Sequence, residues 1–100
     1  MRTAAITACL ILLWSTSANA VEFPSWGDPP WTLDAMCQHE EYIGFPFEAC
    51  QGGEGDSHAA ALREWKAAKP AVRKSCIEKE LRGVATYSGL NMCLACDGGC

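Results

Sequence analysis

Six cysteines, Cys37, Cys50, Cys76, Cys93, Cys96 and Cys100, limit this chain more than any other feature. An even set of cysteines in a short exported chain reads as a disulfide framework, and six of them allow fifteen connectivities. Export is the expectation from the first twenty residues. Arg2 gives a positive start, Ala4 to Trp14 is an apolar run, and Ala18-Asn19-Ala20 has the small-x-small form that signal peptidase cuts. The run is too short and wrongly flanked for a transmembrane helix, and no later run is long enough to span a bilayer. Ile6-Thr7-Ala8-Cys9 has the look of a lipoprotein box, but the apolar run continues past Cys9 through Leu13, where a lipobox would close it. The expected products are a cleaved signal peptide, residues 1–20, and a mature chain, 21–100. That chain would be a periplasmic or secreted monomer. A chain so short buries only a modest core and relies on staples.

Charge divides the mature chain. Residues 21–56 hold eight acids and no Lys or Arg, whereas residues 57–100 hold seven bases and four acids. The acidic arm can fold over the basic part of its own chain. The net charge of −4 opposes a nucleic-acid binder that needs many phosphate contacts.

Helical periodicity dominates residues 57–96. Asp56 or Ser57 caps a helix to about Ala68, with Ala61, Leu62, Trp65 and Ala68 on its apolar stripe. Pro70 suits the first turn of a second helix, which carries Val72, Cys76, Ile77 and Leu81 to one side and closes at Gly83. Thr86 caps a third, with Tyr87, Leu90, Cys93 and Leu94. If the last two form an antiparallel hairpin turning near Val84 and Ala85, Cys76 and Cys93 lie equally far from the turn on facing stripes. Cys76–Cys93 is therefore the preferred pair, and three pairings of the other four cysteines remain open. Asp97-Gly98-Gly99-Cys100 reads as a flexible, tethered tail.

Upstream, Val21–Pro30 holds three prolines and a glycine, so it is extended or turned. Phe23 and Trp26 read as anchors pinning this arm to the helices. The alternative makes Phe23, Trp26 and Trp31 a binding surface. Thr32 caps a short helix to about Tyr42, ended by Gly44. Ile43, Phe45 and Phe47 flank Pro46 in an apolar loop expected to pack inward. Gln51-Gly52-Gly53-Glu54-Gly55 reads as a loop. The expected architecture is thus an all-α, disulfide-stapled domain of three to four short helices. Residues 21–56 form a loop-rich arm and residues 57–100 the helical core with its Cys-rich tail.

Cys50, Leu62-Arg63-Glu64-Trp65, Val72-Arg73-Lys74-Ser75-Cys76, Gly83 and Thr86-Tyr87-Ser88-Gly89-Leu90-Asn91-Met92-Cys93-Leu94 together resemble a set of small exported alphaproteobacterial proteins. Those carry a Cys, a Leu-x-x-Trp, an Arg-x-x-Cys, a Gly and a Ser-Tyr-x-x-Leu-x-x-Cys-Leu in the same order. The chain departs from them at Gly52-Gly53-Glu54-Gly55, which interrupts what looks like continuous helix in the relatives, and at the Cys96 and Cys100 tail. The resemblance implies a helical domain and no activity.

No catalytic constellation stands out. Cys93-Leu94-Ala95-Cys96 invites a thiol-redox reading, but reactive pairs sit at a helix N-terminus, and this one lies in a last turn beside Asp97. A metal site would draw on Cys93, Cys96 and Cys100, joined by Cys37, Cys50 or His39, but a second ligand pair at zinc spacing is missing. His39-Glu40-Glu41 is not HExxH, because Ile43 stands where the second His belongs. His58 reads as a surface residue in a first helical turn. No cofactor is implied. The leading expectation is a non-enzymatic binding or envelope-accessory protein acting on an unidentified protein or envelope partner. The second is a metal- or thiol-handling protein. A secreted toxin or inhibitor is permitted by size and supported by no residue.

Overall fold

The computed structural model describes residues 21–39 and 42–98. The predicted signal segment with Cys9, and also Glu40, Glu41 and Cys100, lie outside the described residues. Four helices follow in order: α1, Leu33–Cys37; α2, Phe47–Ala67; α3, Pro70–Leu81; and α4, Tyr87–Ala95.

α1 starts as its sequence directs, with Thr32 Oγ1 accepting from the Ala35 N–H at 3.3 Å. It stops at Cys37, short of Tyr42, and Cys37 is tied to Cys50 with Cα atoms 5.8 Å apart. That bridge closes a 13-residue separation, so the chain must turn back within it. Gly44 supplies the turn at φ +88°, a conformation that residues with a Cβ rarely adopt.

α2 is the main departure from expectation. The Gln51–Gly55 stretch is helix interior, not loop, and α2 runs unbroken across the acidic-to-basic boundary. Asp56 and Ser57 are therefore mid-helix and cap nothing. Each interior glycine costs a helix about 1 kcal/mol against alanine. Tertiary contacts offset this. Cys50 is buried and cross-linked, and Glu54 is fully buried with two hydrogen-bond donors on its carboxylate.

Gly52 and Gly55 are exposed and have open space where a Cβ would stand. Gly52→Ala and Gly55→Ala are expected to stabilise the fold by about 0.5–1 kcal/mol each, since alanine restricts the unfolded chain and favours helix. Urea unfolding of each variant checks this, and a lower midpoint would contradict it.

α3 begins at Pro70, whose missing N–H leaves no helical bond unmade. α4 packs chiefly on α2 and also on α3. Cys76 and Cys93 are joined in the α3–α4 hairpin, with Cα atoms 5.7 Å apart. The core gathers Trp31, Met36, Ala61, Trp65, Tyr87 and Leu90 around this bridge. Leu81, expected on the apolar side of α3, is instead half exposed. The tail begins by capping α4 rather than as a free tether: the Gly98 N–H donates to Cys93 O at 2.7 Å.

The N-terminal arm is fastened by aromatic contacts. Phe23 sits edge-on to Trp65 at 5.5 Å, and Tyr87 Oη donates to Pro24 O at 2.8 Å. Trp26 stacks on Tyr87 at 5.1 Å and 11° and keeps 41% of its surface exposed. Arg73 closes the far side, with Nε donating to Trp65 O at 2.8 Å and its guanidinium 5.4 Å from the Trp65 ring centre.

Candidate functional site: an apolar loop held beside a disulfide

Two connections of the chain meet at Glu54. Its carboxylate accepts from Tyr42 Oη, midway along the α1–α2 connection, and from the Tyr87 N–H at 2.7 Å, at the first residue of α4. The second bond places a carboxylate at a helix N-terminus, where orphan amides and the helix dipole favour it. The same N-terminus is completed by Thr86 Oγ1, which accepts from the Gly89 N–H at 3.0 Å, and by Glu80, which accepts from the Thr86 N–H at 3.3 Å. A Cβ on residue 89 would meet the Glu80 carboxylate, so a side chain there would make that carboxylate swing away from the Thr86 N–H.

Burial sets the titration of this cluster. Desolvation pushes the Glu80 carboxyl above the usual glutamate range, with Glu54 adding to the rise; the Thr86 N–H, His39 and Lys79 pull it back. Burial, then Glu54 and Asp28, push the Tyr87 phenol up to about 12. A carboxyl raised on folding stabilises the fold below its unfolded pKa and loses that contribution as pH rises through its folded pKa. Ionised Glu80 is therefore a burden at neutral pH. Glu80→Gln keeps an oxygen acceptor for Thr86. The variant should match wild type below about pH 4 and become progressively more stable than wild type as pH rises toward 7. Urea midpoints measured across that range test this; a gap that narrows with rising pH would refute it.

The residues singled out for chemistry are placed as follows. Cys93 is bonded to Cys76, and Cys96 is also disulfide-bonded, so neither offers a thiolate. Cys37 and Cys50 are bonded to each other. His39 lies in the turn after α1, where its charge is felt by Glu80. Among the described residues no three His, Cys, Asp or Glu side chains group as a metal site would. His58 is neither a surface residue nor in a first turn. It is half-buried in mid-α2, edge-on to Phe23, Trp26 and Tyr87 at 5.3, 5.3 and 4.6 Å. Trp31 is buried and Phe23 is half-buried in the core, which leaves Trp26 as the accessible member of the arm's aromatic set.

What the structure exposes is the loop expected to pack inward. Ile43, Phe45 and Phe47 are 70%, 59% and 49% exposed. The backbone at Gly44 and Pro46 turns these side chains out, and the residue that goes in is Tyr42, carried by its bond to Glu54. Phe45 and Phe47 line a cleft of about 250 Å³ together with Asp34, Cys37 and Gln38. The cleft lies over the Cys37–Cys50 bridge. Single exposed apolar residues are ordinary on protein surfaces, but a contiguous apolar group marks a contact surface. The signal in the sequence was Gly-Phe-Pro-Phe: a turn-forming Gly and Pro interleaved with aromatics give a loop too short to bury all of them.

Fold and cysteine usage define a small, disulfide-stapled, all-α protein, and among the described residues no helix is long and apolar enough to cross a membrane. No family model, curated protein or solved structure matches the chain. Trp65, Cys76, Tyr87, Leu90, Cys93 and Leu94 are all buried, so these residues serve packing.

Proposed function

We propose that this chain is an exported, non-enzymatic binding protein, an envelope accessory whose contact surface is the loop from Tyr42 to Phe47. The observation that carries the reading is the outward aromatic group, held on a pre-shaped support. Its base is fixed by the Cys37–Cys50 bridge on one side and the Tyr42–Glu54 bond on the other. A surface already ordered loses little freedom on docking. The Cys–Cys bonds suit an oxidising compartment, the periplasm or the cell exterior. They also weigh against the thiol- or metal-handling alternative, because the described cysteines are already bonded.

A photo-crosslinking amino acid placed at position 43 in the native host tests the proposal. Crosslinks to a defined partner, absent when the crosslinker stands at exposed Lys66, support it. The same background at both positions refutes it. Alkylation of the native protein without reductant adds a second check: no cysteine should be modified.

A further inference from the structure

Resting on that reading, we propose that the loop takes a cationic, apolar segment of a protein partner, with an aliphatic side chain seated between Phe45 and Phe47 and a Lys or Arg against Asp34 and Glu48. The cleft is lined by two exposed aromatics, Phe45 at 59% and Phe47 at 49%, together with Asp34. Asp34 is exposed, and so is Glu48, in the first turn of α2 directly after Phe47. The surrounding sequence deepens the bias: no Lys or Arg occurs between Thr3 and Leu62. A cation entering here meets carboxylates and the faces of exposed aromatic rings, both attractive. An anionic lipid, a nucleic acid or an acidic peptide meets the Asp34 and Glu48 carboxylates instead. Tyr42 and Phe45 already pack edge-to-face with ring centres 6.3 Å apart, so the aromatic wall is partly set before anything docks.

The test uses the oxidised mature protein and two capped peptides of about twelve residues, one alternating Lys and Leu, the other Glu and Leu. By titration calorimetry the Lys–Leu peptide should bind at least roughly tenfold more tightly than the Glu–Leu peptide, and salt should weaken it. Phe45→Ser with Phe47→Ser, and separately Asp34→Asn with Glu48→Gln, should each weaken it by roughly tenfold or more while the protein stays folded with only a small drop in unfolding midpoint, because all four side chains are exposed. No binding of the Lys–Leu peptide, equal binding of the two, or binding indifferent to both double variants overturns the inference. So does sedimentation showing a dimer lost in the Phe45→Ser, Phe47→Ser variant, which would make the occupant a second copy. Loop-dependent binding to phosphatidylcholine vesicles, which would make it a membrane, overturns it as well. Crosslinks from position 43 that persist while the Lys–Leu peptide fails remove only the cationic partner; loss of both removes the binding reading too.

Discussion

Glu54→Ala is expected to destabilise the protein by about 3–5 kcal/mol. The carboxylate is fully buried, and its removal leaves the Tyr42 hydroxyl and the Tyr87 N–H without their acceptor. Hydrogen bonds to a charged group contribute about 1.5–3 kcal/mol each, and a buried donor left unsatisfied costs its desolvation as well. The helix dipole of α4 loses its nearest counter-charge at the same time. Glu54→Gln separates geometry from charge. An amide can turn its oxygen to the Tyr87 N–H and its NH₂ to the Tyr42 hydroxyl, which can accept. That variant should lose only about 1 kcal/mol or so. Urea unfolding gives the numbers. Equal losses in the two variants would mean that the charge, not the bonding, is what the site needs. In Glu54→Ala the loop should also lose its inner anchor, and hydrogen exchange should rise first at residues 42–47.

The legible parts of the chain were those decided locally. Pro70 and Thr86 mark helix starts whatever surrounds them, and equal spacing about a turn is enough to pair Cys76 with Cys93. The illegible part was decided across the fold. Three glycines in five residues argue against helix on propensity, and propensity yields when buried contacts outweigh it. The overriding pattern does lie in the sequence, but it must be followed straight through the glycines. Cys50, Glu54, Ala61 and Trp65 fall at helical spacings on one stripe, and all four are buried. A glutamate on that stripe looks like a break in it, because its two donors lie 12 residues before and 33 residues after it.

The candidate site was missed for a related reason. Apolar residues in a loop suggest burial, yet the turn, not the hydropathy, decides which side chain enters. Tyr42 goes in because its hydroxyl reaches Glu54, and with Gly44 at a positive φ its neighbours are carried outward. The same carboxylate thus explains a helix that runs through glycines and an aromatic loop that faces solvent. The exposed aromatic loop is a by-product of satisfying one buried acid, which couples loop geometry to the stability of the core.

Removing the Cys76–Cys93 bridge is expected to cost about 3 kcal/mol from loop entropy alone, since it closes a 17-residue separation. More is lost because both cysteines are buried in the core, against Trp65, Tyr87 and Leu90 of the same cluster, and two alanines leave unfilled volume there. Total stabilities of small domains are about 5–15 kcal/mol, so the Cys76→Ala, Cys93→Ala double variant should be partly unfolded near 37 °C. Losing the Cys37–Cys50 bridge should act differently. Its chain-entropy share is also about 3 kcal/mol, but it lies at the periphery of the core, under the cleft. Cys37→Ala with Cys50→Ala should keep the α2–α4 packing and loosen the loop instead. Circular dichroism melts and position-43 crosslinking, run on both double variants, distinguish the two roles. The expected result is a collapsed melt for the first and, for the second, a cooperative melt lowered by clearly less, with weakened crosslinks. If the second variant melts as low as the first, the loop is no separate platform and its exposure follows only from global packing. If it keeps full crosslinking, Tyr42 and Glu54 alone hold the surface, and the bridge serves stability without shaping the site.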